Sequence, residues 1–466
     1  MTLITSISGM RGTLGGKPGD CLTPVDIVRF TGAFGMWLKK LHHGQKITVV
    51  TGRDARTSGH MVGMIVTGTL QAMGIDVIDA GVTTTPTVAM GVIFHKAQGG
   101  VVITASHNPK NWNALKFLDH RGEFLKQKQA GDLQGLMLVD DFEFAPVDKL
   151  GKYLYDDGML TMHIEKILAL PLVDAAAIRR ANFVIAVDGI NSSGATAVPL
   201  LLDRLGVSQI VCVHCEPHGA FAHNPEPLPE NLGELSLQVV GKGAHLGFAV
   251  DPDVDRLAIV NENGDFFGEE YTLVAVADYV LSHTPGHTVS NLSSTQALKD
   301  ITHQYGQQYF ASAVGEANVV EVMKERQAVI GGEGNGGVIY PPLHYGRDAL
   351  VGIALFLTHL ANSGLSCSML KKRYPRYHIS KSKIELPPDI NMQLLLDRLV
   401  VKYKKQPYDT TDGVKIWFGP EWVHLRKSNT EPIIRIYAES DDEVKAENLS
   451  EKIILDIREF LKGDDD

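Results

Sequence analysis

Lys46-Ile47-Thr48-Val49-Val50-Thr51, followed by Gly52-Arg53-Asp54-Ala55-Arg56-Thr57-Ser58-Gly59, decides how this chain folds. The first run is β-branched and reads as a strand, and the second is a loop. His60 to Met73 then carries a helix, Gly74 fits its C-cap, and Ile75 to Asp79 resumes a strand. Thr85-Pro86 opens another helix to about His95, and Val101 to Ile103 is the next strand. Strands that alternate with helices imply parallel pairing, so this part of the chain is an α/β sheet. Arg53 and Arg56 are expected to pair with carboxylates and hold their loop rather than to bind phosphate.

The same alternation recurs downstream. Tyr153 to Ala169 reads as a helical connector, Phe183 to Val187 as a strand, and Asp188 to Gly194 as a small-residue turn. That turn lacks both G-x-x-x-x-G-K-[ST] and G-x-G-x-x-G, so it is taken as a tight βα turn. Ala195 to Leu205 is a helix capped by Gly206, and Ile210 to Val213 and Leu246 to Val250 are strands. Pro225, Pro227 and Pro229 stiffen the loop between those strands. A third unit covers about residues 257–370: a strand at Leu257 to Val260, a helix at Thr272 to Leu281, a weak strand at Val289 to Asn291 and a helix from Gly315 to Lys324. A strand then runs into the loop Gly331 to Gly337, and Ala349 to Ala361 is an apolar helix. Beyond Pro375 the pattern changes to a helix (Met392 to Lys402), three short strands (Val414 to Phe418, Trp422 to Leu425, Ile433 to Tyr437) and an amphipathic helix (Glu443 to Leu461). That is a small α+β domain. Asp464 to Asp466 are expected to form a disordered tail.

The chain has 466 residues, 44% of them apolar and 21% charged, as in ordinary globular proteins. A formal net charge of -10 argues against a broad nucleic-acid surface but leaves room for a small phosphorylated ligand held by a few arginines. No run is long and apolar enough for a membrane span, and the N-terminus lacks a signal-peptide pattern, so a cytoplasmic protein without a membrane partner is expected. Four cysteines do not make a disulfide framework. Cys212 and Cys215 form one C-x-x-C, with His214, His218 and His223 nearby. No second pair accompanies it, and the run is read as the end of a strand from Gln209 to His214 rather than a zinc site.

Four stretches carry chemistry. Ile103-Thr104-Ala105-Ser106-His107-Asn108-Pro109 places a serine at the end of a buried strand and at the start of an exposed turn, where a nucleophile is both fixed and reachable. Asp251-Pro252-Asp253-Val254-Asp255-Arg256 carries carboxylates at alternate positions of an extended segment, hence on one side. Bare, they repel, and a hard divalent cation such as Mg²⁺ resolves the conflict. Asp251, Asp253, Asp255 and Glu262 mimic EF-hand spacing, but Arg256 stands where that loop needs glycine, and the flanks are strands. Gly331 to Gly337 holds two functional side chains, Glu333 and Asn335, suited to sugar hydroxyls. Arg426-Lys427-Ser428-Asn429-Thr430-Glu431-Pro432 offers Arg426, Ser428, Asn429 and Thr430 as donors to a phosphate. Arg11, between Gly9 and Gly12, adds an arginine in a close-approach setting.

Together, and in this order, these stretches resemble the α-D-phosphohexomutase family over essentially the whole chain. Asn111 to Lys116 and Gly334 to Tyr340 are most similar to a phosphoglucosamine mutase subgroup. The resemblance implies four domains around a central cleft: α/β domains at 1–157, 158–256 and 257–372 with mixed sheets, and a TATA-binding-protein-like α+β domain at 373–466. It implies that Ser106 carries a phosphoryl group and that one Mg²⁺ is held by Asp251, Asp253, Asp255 and that phosphate. Arg11, His107, Lys116 and Arg256 would surround the transfer site, with His107 and Lys116 as acid–base candidates. Glu333 and Asn335 would grip the sugar, and Arg426, Ser428, Asn429 and Thr430 the phosphate that does not react. The implied reaction moves phosphoryl between O6 and O1 of a hexose phosphate, with glucosamine phosphate first and glucose or mannose phosphate as the alternative. A glucose or glucosamine 1,6-bisphosphate would load Ser106. A phosphoserine-type phosphatase is a remoter reading, because that chemistry usually needs two metals. A monomer or homodimer is expected. Many relatives carry serine and histidine where this chain has Asn335 and Gly337, so a histidine proton-transfer role does not carry over.

Overall fold

The computed structural model describes residues 2–6, 9–139, 142–385, 392–427 and 433–462. The tail Asp464 to Asp466 and three of the phosphate-loop residues, Ser428, Asn429 and Thr430, lie outside the described residues.

One four-stranded plan is used three times. In the first sheet Thr48–Arg53 runs parallel to Asp76–Val82 on one side and to Gly99–Ile103 on the other, and Trp112–Leu118 pairs antiparallel with Gly99–Ile103. In the second, Val184–Asp188 lies parallel to Gln209–Val213 and to Leu246–Val250, with Leu257–Asn261 antiparallel to the last. In the third, Thr288–Asn291 lies between Tyr309–Ser312 and Ile330–Glu333, and Gly337–Ile339 closes the set antiparallel. Parallel neighbours need a long crossover, which the helices supply, while an antiparallel pair closes through a short turn. The serine stretch, the aspartate stretch and the glycine stretch each form that turn in their own repeat.

The first sheet is widened to seven strands by Gly9–Thr13 and Ile4–Ser6 at one edge and Tyr153–Tyr155 at the other. The fourth sheet is antiparallel throughout, in the order His378–Glu385, Ile433–Ser440, Glu421–Lys427, Val414–Phe418, Tyr408–Asp409. Its inner face packs under the helices Met392–Lys402 and Glu443–Lys462.

Three sequence expectations change. Leu257 to Val260 is the closing strand of the second sheet, not the first of the third unit, because its hairpin partner is Leu246–Val250. Tyr153 to Tyr155 is an edge strand paired with Asp76–Val82, and the connector helix begins only at Met159. Gln209 to Val213 is the strand, and His214 leaves it with φ of +48°. His378–Glu385 has no apolar alternation to announce it. Backbone pairing with Ile433–Ser440 along its whole length makes it a strand.

Apolar packing groups the domains unevenly. The second and third share one core, in which Phe356 of the helix Ala349–Ser363 meets both Phe248 and Phe267 edge-on. The fourth has its own core around Leu399, Ile416, Leu425, Ile436 and Ile453. Among the described residues no helix is long and apolar enough to cross a membrane.

Candidate active site

Ser106 sits just beyond the strand Gly99–Ile103 in the left-handed region, with φ of +49°. Its environment holds it there. Its N–H donates to Thr104 Oγ1 at 2.8 Å, and that hydroxyl donates to Asp54 Oδ2 at 2.7 Å. Arg56, fully buried, binds Asp54 Oδ2 through Nε at 2.9 Å and donates to the carbonyls of Ser106, Asn108, Pro109 and Trp112. Arg56 thus holds the serine turn from behind, as expected of a loop-holding arginine, while Arg53 donates to the Asp54 carbonyl.

Ser106 Oγ faces the aspartate stretch and donates to Asp251 Oδ2 at 2.6 Å. Asp251, Asp253 and Asp255 are fully buried, with one oxygen of each within 4.8 Å of the others. Asp251 Oδ1 accepts the N–H groups of Asp255 and Arg256. Val254, between them, is held at φ of +61°, an uncommon place for a β-branched residue, and is itself fully buried. Two hydroxyls, Ser192 and Ser193, donate to the Pro252 carbonyl, so the small-residue turn after Val184–Asp188 serves as a brace for this hairpin.

The unequal use of the carboxylate oxygens is the observation that bears on a cation. Asp253 Oδ2 accepts from Lys116 Nζ at 2.8 Å and Thr85 Oγ1 at 2.6 Å, and Asp255 Oδ2 accepts from Arg347 Nη2 at 2.6 Å. Their other oxygens, Asp253 Oδ1 and Asp255 Oδ1, are buried without a hydrogen-bond partner. Such orphaned acceptors cost free energy unless something positive fills the space between them. Burial and the charges of Asp255 and Asp253 push Asp251 well above the ordinary carboxylate range. For Asp253 burial pulls the same way, but the ammonium of Lys116 prevails and lowers it. An all-oxygen site with spare ligand atoms suits Mg²⁺.

Around this hairpin the cations gather. Arg256 Nη1 lies 3.3 Å from Glu226 Oε1, and its buried Nε, too far for a hydrogen bond, faces Asp255 Oδ1 at 3.8 Å. Arg11 lies in Gly9–Thr13, close enough to Arg256 that burial and that second guanidinium lower its pKa. Burial, and then Arg256, Arg11 and Lys116, hold His107 well below the usual histidine range, so its imidazole is neutral. A neutral ring beside three cations marks a pocket for an anion.

Glu333 ends the strand Ile330–Glu333. Its Oε1 accepts from Asn291 Nδ2 at 2.7 Å and the N–H of Gly315 at 3.0 Å, and its Oε2 from Arg347 Nη1 at 2.7 Å. Asn335 lines a small cavity with Arg256, Glu226, Glu269 and Lys381, the last from the fourth sheet. Arg426 lies elsewhere, donating from Nε to Asp412 Oδ2 at 2.8 Å.

Three partly buried residues were not legible beforehand. Arg347 joins Asp255, Glu333 and Glu316, the last at 3.0 Å. Its stem occupies the space over Gly337, where an added Cβ would stand 2.3 Å from Arg347 Cδ. Glu316, pushed up by burial to about 7 although Arg347 lowers it, faces the same cluster. Glu270, raised by burial to about 8, lies under Gly334, where an added Cβ would stand 1.9 Å from its Oε2. A single arginine or glutamate between ordinary neighbours gives no local signal.

Residues 3–142 match phosphoglucomutase/phosphomannomutase alpha/beta/alpha domain I, 161–264 domain II, 268–377 domain III and 391–455 the C-terminal domain of the same proteins. The chain belongs to the phosphoglucomutase/phosphomannomutase family. It is 36% identical to a phosphoglucomutase/phosphomannomutase of Thermococcus kodakarensis, with 97% of this chain and 99% of that protein covered. It is 32% identical to a probable phosphoglucosamine mutase of Methanopyrus kandleri, covering 98% of each. The crystal structure of a putative phosphomannomutase from Thermus thermophilus superposes with a TM-score of 0.83 at 25% identity, covering 98% of this chain and 99% of that one. The expected membership in the phosphohexomutases therefore holds, and with it the four-domain α/β architecture. As a member of this family, the chain is a phosphohexomutase.

Proposed function

We propose that this phosphohexomutase interconverts glucosamine 6-phosphate and glucosamine 1-phosphate, with Ser106 as the phosphoryl carrier. The contact that carries the reading is Ser106 Oγ on Asp251 Oδ2 at 2.6 Å, beside the orphaned oxygens of Asp253 and Asp255. A phosphoryl group on that oxygen would meet those carboxylates across the space a cation suits. Asp251, Asp253 and Asp255 would hold Mg²⁺ together with the phosphoserine, and when bound it supplies neutralisation of charge on the transferred group. Arg11, Arg256 and Lys116 would hold the equatorial oxygens.

In the first half-reaction the P–Oγ bond of phosphoserine breaks and a P–O bond to the free sugar hydroxyl forms; in the second the P–O bond at the other sugar oxygen breaks and P–Oγ re-forms. The sugar hydroxyl's proton passes to a base, for which His107 and Lys116 are the candidates, Ser106 Oγ takes up a proton as it is freed, and the second half-reaction reverses both transfers. The 1,6-bisphosphate then turns, and its other phosphate goes back to Ser106. Glu333 and Asn335 would contact sugar hydroxyls, and Arg426 with Ser428, Asn429 and Thr430 the distal phosphate. Glucose or glucosamine 1,6-bisphosphate would load the serine at the outset.

The glucosamine reading is supported by the name of the Methanopyrus kandleri relative. The Thermococcus kodakarensis relative favours glucose and mannose phosphates as the second reading. A coupled assay with the 1-phosphates of glucosamine, glucose and mannose separates them by kcat/KM. The highest value for glucosamine 1-phosphate is expected, and a higher one for either neutral sugar replaces this reading by the second. Mass spectrometry of the purified protein should find phosphate on Ser106, and Ser106→Ala should lose nearly all mutase turnover. Phosphate found only elsewhere, with turnover retained in that variant, rules out the carrier role.

A further inference from the structure

A second cluster of ligating side chains lies at the carboxyl ends of the parallel strands Val184–Asp188 and Gln209–Val213, with Asp188 paired opposite Ala249 of the strand that leads into the aspartate hairpin. Asp188, His214 and His223 bring one ligand atom each within 4.8 Å of one another. Asp188 is buried, and its Oδ1 accepts from the N–H of Ile190 at 2.9 Å, leaving Oδ2 turned to His223 Nε2 at 3.0 Å. His223 Nδ1 lies 2.7 Å from the Asn224 carbonyl, which can only accept, so Nδ1 carries a hydrogen. A neutral ring would then point a lone pair at a carboxylate. Something positive must stand between His223 Nε2 and Asp188, either a proton or a metal ion.

The surroundings favour a metal. His214 Nε2 is 3.3 Å from Glu234 Oε2, and the two imidazoles meet edge-on with centroids 5.5 Å apart. Two imidazoles and a carboxylate make the mixed N/O donor set that borderline ions such as Zn²⁺ accept. A ligating histidine that donates its other ring N–H to a backbone carbonyl is the usual support for such a site. His214 is also held at φ of +48°, which turns it out of the strand it follows. The neighbouring thiols are not part of the cluster. Cys215 Sγ donates to the carbonyls of Val213 and Val187, and Cys212 is exposed.

We propose that Asp188, His214 and His223 bind a zinc-type divalent ion that pins the segment 214–226, with Glu234 beside His214. That ion is structural and independent of the phosphoryl-transfer reading. Its reach extends to Arg256 all the same. Asn224 Oδ1 accepts from the N–H of Glu226 at 3.2 Å, and Glu226 is the ion-pair partner of Arg256. Binding exchanges the Nε2 proton of His223 for the metal, so it releases a proton.

The probe is Co²⁺, titrated into the full chain in excess Mg²⁺ so that the oxygen site is filled. Visible d–d absorption saturating at one Co²⁺ per chain, and bleached by Zn²⁺, is expected. The bands should vanish in His223→Asn and in His214→Asn, with mutase turnover measured alongside. No visible band, or bands unchanged in both variants, overturns the site. Should either variant fail to fold, X-ray absorption of the Zn²⁺-loaded natural chain decides the matter. Imidazole scattering upholds the assignment, and sulfur scattering overturns it in favour of Cys212 and Cys215.

Discussion

Arg347 shows what one side chain does here. Its three carboxylate partners come from the aspartate hairpin, from the strand before the glycine loop and from the helix Glu316–Arg326. A flat, permanently charged fork can satisfy all three, which an ammonium cannot. By holding Asp255 Oδ2 it leaves Asp255 Oδ1 for a cation. Arg347→Met should therefore lower Mg²⁺ affinity by on the order of 10–100-fold in calorimetric titration. Arg347→Lys should recover only part of that loss, and an affinity unchanged in Arg347→Met means Asp255 needs no such support. Glu270 offers a test through pH. Its folded pKa, raised by burial to about 8, exceeds the ordinary carboxylate value, so the folded chain binds a proton that the unfolded chain releases. Between about pH 4.5 and 8 this group makes stability fall as pH rises. Glu270→Gln should flatten that part of the stability profile and raise the melting temperature at pH 8. A profile that keeps its slope places the titration on another group.

At the scale of elements, the hairpin turn is the unit of design. Strand pairs of the same kind present the serine, the aspartates and the glycine loop, and the two latter turns are fastened to each other. The N–H of Leu257 donates to the Gly336 carbonyl at 3.0 Å. Gly336 has φ of +86°, and a Cβ there would stand 2.3 Å from the Leu257 carbonyl oxygen. Gly336→Ala should therefore cost about 1–3 kcal/mol in denaturant unfolding and raise KM for the sugar phosphate. Stability equal to the parent would mean the two turns are not tightly apposed. The first domain is tied to the same aspartates from the other side, through Lys116 and Ser106 of the serine hairpin and through Thr85 at the start of the helix Thr85–Phe94.

For the molecule as a whole, the mode of attachment differs between domains. The second and third are fused by apolar packing, whereas the fourth meets the third largely through polar groups. Lys415 Nζ donates to the Leu292 carbonyl at 2.7 Å, and His424 Nε2–H donates to the Asp412 carbonyl while its Nδ1 accepts from Ser293 Oγ at 2.9 Å. Burial lowers His424 to about 4, so this contact is made by a neutral ring through the physiological range. Asp412 Oδ2 accepts both from Arg426 and from the N–H of Val314, tying Arg426 to the third domain. Polar contacts exchange readily with water, so this joint is the one suited to opening and closing. Asp412→Ala should raise KM for the hexose phosphate several-fold with a smaller change in kcat, and enlarge the radius of gyration in X-ray scattering. Unchanged KM and radius together would show that the joint does not depend on Asp412.

The sequence by itself determined the repeated α/β plan and the four chemical stretches. Strand and helix periods are local, and serine, alternate aspartates and clustered glycines are conspicuous within a few residues. The aspartates at 251, 253 and 255 could be read as a candidate cation site without tertiary knowledge, because a divalent cation relieves the repulsion of like charges at that spacing. Strand membership was not local in this way. Leu257–Asn261 looks the same whether it opens one sheet or closes another, and His378–Glu385 becomes a strand only through its partner. The ion pairs of Arg347, the pKa of Glu270 and the convergence of Asp188, His214 and His223 were equally hidden. Each depends on burial and on residues far away in the chain, so distance in space, which the order of residues does not contain, decided them.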